Sequence, residues 1–115
     1  MDPAKKVGRV ADDRYRALPE GHRTTFVVGM AEMLEQMVRY LDAKKLAAFE
    51  PILEYQRLLE SDDLREALDS HMTNEPSGLK GAIVSTFFAM LVKKSAARRR
   101  KTRAAKLLFA AIEKE

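Results

Sequence analysis

The residues with the most chemical character lie near the end of the chain. Lys93, Lys94, Arg98, Arg99, Arg100, Lys101, Arg103 and Lys106 place eight cations in fourteen positions, with no acidic residue among them. Side chains of this kind meet phosphates, and the counterions released on contact make such binding steeply salt-dependent. On a helix these charges point all round the axis, so several reach a polyanion whichever side is presented. No helix-turn-helix spacing, zinc-ligand set or stacking-aromatic motif accompanies the run, which points away from sequence-specific readout of bases. The expectation is contact with nucleic acid, or another polyanion, without strong sequence preference. The plain alternative is a solvated face that keeps the chain soluble. Directly after the run, Leu107, Leu108, Phe109 and Ile112 form an apolar tip, a candidate oligomerisation surface. Lying on an anionic membrane would need charged and apolar groups on opposite faces, whereas here they follow one another along the chain.

Other residue types with catalytic potential are sparse. His22 and His71 are the only histidines; one falls in a predicted N-terminal turn and the other at a predicted helix end, where the helix dipole favours a cation. Asp69 and His71 are two apart and do not share a helix face. Asp62, Asp63, Glu66 and Asp69 resemble a carboxylate cluster, but negative charge early in a helix has a structural reason of its own. Met30, Met33 and Met37 read first as core, with a Met-rich binding groove as the alternative. There is no glycine-rich phosphate loop, nucleophile elbow or paired-histidine zinc motif. With no cysteine, thiol nucleophiles, disulfides and Cys-based zinc sites are excluded. The expectation is a protein that is not an enzyme, with no catalytic residues, no metal and no cofactor.

At 115 residues there is room for one core. Residues 93–115 hold nine Lys/Arg against two Glu, a net +7, while the first 92 hold twelve against fifteen, a net −3. The overall charge of +4 therefore belongs to the tail, and the body is mildly acidic. The first ten residues carry charge with no apolar run after them, which does not read as a signal peptide. The longest uncharged apolar run, Ala82 to Val92, is far short of the roughly 20 residues that span a bilayer. A cytoplasmic location is expected.

Helices must position these groups. Phe26, Val27, Met30, Met33, Leu34, Met37, Val38 and Leu41 fall on one wide stripe of a 3.6-residue period. This predicts a central helix from about Pro19 or Arg23 to Leu41, with Gly29 marking a close helix crossing. Asp42 reads as the cap of a short helix over residues 43–49, and Pro51 predicts a kink or restart there. Asp63 with Glu66 has capping-box spacing for a helix of about ten residues. Residues 73–78 read as a loop, with Ser77 capping a last helix whose buried part ends at Val92. A continuous helix from Leu79 to Lys114 would measure on the order of 54 Å, against roughly 35 Å for the diameter of a compact domain of this length. Either it projects and its apolar tip needs a second molecule, or the chain breaks near residues 95–97 and folds back.

The stretch Tyr15-Arg16-Ala17-Leu18-Pro19-Glu20-Gly21-His22-Arg23-Thr24-Thr25-Phe26-Val27-Val28-Gly29-Met30 resembles the start of small helical bacterial proteins related to Tai-like type VI secretion immunity proteins. Residues 64–91, a helix before the Glu75-Pro76 step and a final apolar helix, resemble the closing pair of that family. The resemblance implies a partner-binding helical module and accounts for Gly29 as a close crossing. The chain departs from that family in lacking cysteines and in carrying the basic tail.

The sequence thus predicts an all-α bundle of four or five helices with a basic C-terminal helical arm. Residues 1–17 are expected as a flexible lead-in with at most a short turn, 18–92 as the core domain, and 93–115 as the arm. The expected function is non-catalytic binding of an acidic partner, most directly nucleic acid, through the arm, with a homodimer formed through the same arm. The alternative is a protein-binding inhibitor or immunity-type module acting through the helical body.

Overall fold

The computed structural model describes residues 10–74 and 81–113. Five helices form an all-α bundle: α1 (Asp12–Arg16), α2 (Glu20–Met37) with a 3₁₀ turn at Val38–Tyr40, α3 (Ala43–Leu58), α4 (Ser61–Asn74) and α5 (Ile83–Glu113). α3 and α4 both pack on α5, and α2 packs on α4. No strand occurs among the described residues; one isolated antiparallel bridge joins Ala11 to Ala82.

The core is built from Tyr15, Val27, Met30, Ile52, Leu64, Leu68, Met72, Ile83, Phe87, Met90 and Leu91. Burying a large apolar side chain is worth about 1.5–3 kcal/mol, so this cluster is what holds the amphipathic helices together. The central stripe is only partly inside: Val27, Met30 and Val38 are buried, but Met33 and Met37 are each 60% exposed. At 100° per residue Met33 and Met37 fall on the same side as the buried Met30 and the half-buried Phe26 but further along α2, so cover on that side is lost toward the helix end.

Several local expectations change. Asp42 caps α3 as its type suggests, its Oδ1 accepting the backbone N–H of Lys45 at 2.9 Å. Pro51, however, lies inside α3 and does not break it. The carbonyl it leaves without an intrahelical donor belongs to Ala47, an exposed residue that water can reach. Helix α4 begins at Ser61, so Asp63 lies in its first turn, and Glu66 approaches Arg65 at 3.7 Å instead of closing a capping box. It also runs through Thr73 and Asn74. The expected cap Ser77 lies outside the described residues, and α5 starts at Ile83, after the bridge at Ala82. Gly29 is exposed, and a Cβ there would meet nothing within 4 Å. No described helix crosses closely at that point.

Residues 10–17 pack into the body. Asp12 N–H donates to the Gly81 carbonyl at 3.0 Å, and Ile83 N–H to that of Val10 at 2.8 Å. Both Asp12 carboxylate oxygens accept from the Thr86 hydroxyl, at 2.8 and 2.9 Å, with Asp12 fully buried. Tyr15, also fully buried, stands edge-on to Phe26 with ring centroids 6.0 Å apart. The segment is therefore part of the bundle, while residues 1–9 of the expected lead-in lie outside the described ones.

Candidate polyanion-binding arm

Between Ala82 and the end of the chain there is no Gly or Pro, and Ala, Arg, Lys and Leu predominate from Ala96 onward. These are the strongest helix formers, and once the buried first half has nucleated the helix each added residue gains a hydrogen bond. Hence α5 does not break near residues 95–97. The Ser95 hydroxyl instead donates to the Val92 carbonyl at 3.1 Å within the continuing helix. Ser95 is the last buried residue on α5, and residues 98–113 are exposed throughout. The whole molecule measures 67 × 33 × 25 Å, with a radius of gyration of 17.0 Å. A compact domain of this length would have about 13 Å, so the excess is the projecting helix.

The eight cations of the basic run are all on this helix. Arg98 faces α3, where Glu54 lies 3.8 Å from its guanidinium, a partly exposed pair of small energetic value. Lys94, Arg99, Arg100, Lys101, Arg103 and Lys106 pair with no described carboxylate. Arg99, Arg100, Arg103 and Lys106 follow an i, i+1, i+4, i+7 spacing and so share one side of the helix. They line a broad trough of about 680 Å³ that runs along the arm and ends at Glu54. Leu107, which also lines the trough, and Leu108, Phe109 and Ile112 beyond it are exposed to 66, 62, 66 and 60%.

The remaining candidates disperse. His22 is exposed on the first turn of α2 and His71 is half-buried in the last turn of α4, so the two do not share an element. No group of three or more His, Cys, Asp or Glu that could hold a metal occurs among the described residues. The run of carboxylates on α4 separates in space. Asp62 accepts from the Thr24 hydroxyl at 3.3 Å, whereas Asp69 enters a network that the sequence reading missed.

In that network the Tyr15 hydroxyl donates to Asp69 Oδ1 at 3.1 Å, and Arg65 Nη1 to Asp69 Oδ2 at 3.1 Å. Arg23 Nε lies 3.4 Å from the same oxygen. Arg65 Nη2 donates to Glu20 Oε1 at 3.0 Å, and Arg23 Nη1 to the Leu18 carbonyl at 2.6 Å. Burial, followed by the adjacent negative charge of Asp69, pushes the Tyr15 hydroxyl well above its ordinary range. The i, i+4 spacing of Arg65 and Asp69 was a visible sign; the Tyr15 partner, 54 residues away, was not. A small pocket of about 210 Å³ opens beside it, lined by Arg16, Arg23, Asp69 and Thr73. Asp69 already pairs with Arg23 and Arg65, so the network ties α1, α2 and α4 together.

Comparison with protein-family models, with curated proteins and with solved structures returns no match. No described helix is long and apolar enough to cross a membrane.

Proposed function

We propose that the protein is a non-catalytic helical binding protein that contacts nucleic acid, without strong sequence preference, through the basic part of α5. One observation carries this reading: six arm cations stand in solvent with no carboxylate partner among the described residues, on a helix extending beyond its own body. Holding like charges together costs free energy that a polyanion removes. Solubility alone does not call for a block without acidic neighbours. Arginines on one side of a straight helix contact phosphates from outside the duplex or along a single strand, positioning the protein without reading bases. Fluorescence anisotropy with labelled duplex and single-stranded DNA at low salt tests it. The parent chain should bind both, and the triple variant Arg98→Glu, Arg99→Glu, Arg100→Glu should bind neither. Equal binding by parent and variant, or none by the parent, refutes the proposal.

A second reading has one observation in its favour. Met33 and Met37, both 60% exposed, lie on α2 just before Tyr40, which is 90% exposed. Flexible thioethers beside an aromatic ring suit a protein-binding surface. This is the inhibitor or immunity-type module that the resemblance to Tai-like proteins implies. The two readings separate on truncation after Val92, which abolishes nucleic-acid binding if the arm is the binding element and leaves capture of a protein partner intact if the body is.

A further inference from the structure

Residues 104–112 of α5 carry one charge, Lys106, in nine positions. They begin nine residues past Ser95, roughly 14 Å at 1.5 Å per residue, so the chain's own body leaves them bare. We infer that a second copy of this chain covers them, tip against tip, with the two helices antiparallel and crossing at Leu108.

Shape, charge and area each bear on the choice. Ala104, Ala105, Leu108, Ala111 and Ile112 follow an i, i+1, i+4, i+7, i+8 spacing, one seam on the helix surface. Antiparallel pairing about Leu108 sets Ala104 of one copy opposite Ile112 of the other, small against large, so the ridges interdigitate. The arrangement is self-complementary about a two-fold axis, as an isologous dimer requires. Parallel pairing would stack each basic block against its twin. Antiparallel pairing instead holds the two Arg100 side chains about 24 Å apart along the axis, well beyond the ~8 Å screening length of physiological salt. Leu108 and Ile112, the large side chains on the seam, expose on the order of 250 Å² per copy, against about 800 Å² per partner in a durable interface. The dimer is therefore weak and concentration-dependent.

Pairing itself does not depend on polyanion binding. Its consequence does rest on that reading: two basic blocks on one rod bind a long polyanion bivalently, more tightly than one block alone.

The chain has no cysteine, which allows a direct test. Single variants Ala104→Cys, Leu108→Cys and Ile112→Cys are oxidised mildly without nucleic acid, alone and in pairs, and circular dichroism confirms that each is folded. All three positions are exposed, so folding should be unaffected. Leu108→Cys should cross-link to itself, and Ala104→Cys should cross-link to Ile112→Cys at least tenfold faster than to its own kind. Sedimentation velocity of the parent should show dimer growing with concentration, abolished by Leu108→Glu and only weakened by Leu107→Glu, which lies off the seam. Preferential Ala104→Cys self-linking would overturn the antiparallel arrangement. A parent that stays monomeric to several hundred micromolar would overturn the pairing altogether. Loss of DNA binding with cross-linking intact would count against the polyanion reading alone.

Discussion

Thr86→Val is the most incisive change to the body, because one methyl replaces the only side-chain hydroxyl among the described residues that approaches the buried Asp12 carboxylate. Both carboxylate oxygens lie within 2.9 Å of that hydroxyl, and Asp12 has no exposed surface. Valine keeps the volume, so no cavity term enters. What is lost is a hydrogen bond to a charged group, worth about 1.5–3 kcal/mol, together with the solvation that a buried carboxylate cannot recover. The expected loss is about 2–3 kcal/mol, which for a chain of this size lowers Tm by roughly 10–15 °C. Urea denaturation followed by circular dichroism should show the midpoint falling with m unchanged. The double-mutant cycle with Asp12→Ala sharpens the test. Once the carboxylate is gone, Thr86→Val should cost at least about 1 kcal/mol less than it does alone. A single Thr86→Val within about 0.5 kcal/mol of the parent, or a coupling of zero, would mean that α1 is not anchored on α5 as described.

The other predictions concern the interior, the helices and pH. Gly29→Ala should stabilise the protein by up to about 1 kcal/mol, since the helix gains propensity and the new methyl meets nothing; a loss in thermal melting would mean that a backbone does cross there. Met30→Ala should cost about 2–5 kcal/mol whereas Met37→Ala stays within about 0.5 kcal/mol, because one is buried and the other stands in solvent. Tyr15 keeps its proton more tightly when folded than at the ordinary value of about 10, so its contribution is fully present below pH 10 and is lost as pH rises above it. Chemical denaturation between pH 8 and 11 should show stability falling at the alkaline end in the parent and less so in Tyr15→Phe; parallel curves would contradict the burial of that hydroxyl. The Glu35 carboxyl is held below its usual range by the Arg57 hydrogen bond, so that pair's contribution fades as acid titrates it, but with Arg57 half exposed Glu35→Gln should cost no more than about 1 kcal/mol at neutral pH.

Helical class was legible because little in the chain favours strands and because the apolar residues recur at 3.6-residue spacing. Asp42 was legible for the same local reason: a cap and the N–H it satisfies are three residues apart. Pro51 misled, since proline reports the loss of one hydrogen bond but not whether water can replace it. Met33 and Met37 misled in another way. A stripe records which side of a helix is apolar, while how much of it is covered depends on how its neighbours cross it. Tyr15, Asp12 and Asp69 could not be placed because their partners are 54 to 74 residues away, and nothing local records such a pairing. For the arm, the residues left a choice between projecting and folding back. Helix propensity through residues 95–97 decided it, although the absence of Gly and Pro was visible from the start.

The displayed cations are the centre of this account, and the slope of binding against salt measures them most directly. If about five of the six unpaired arm cations reach phosphates, log Kobs for duplex DNA should fall against log salt with a slope near −4.5, or roughly 500-fold between 50 and 200 mM. Arg99→Gln and Arg103→Gln should each flatten that slope by about 0.9. A slope near zero, or one that both substitutions leave unchanged, would contradict it.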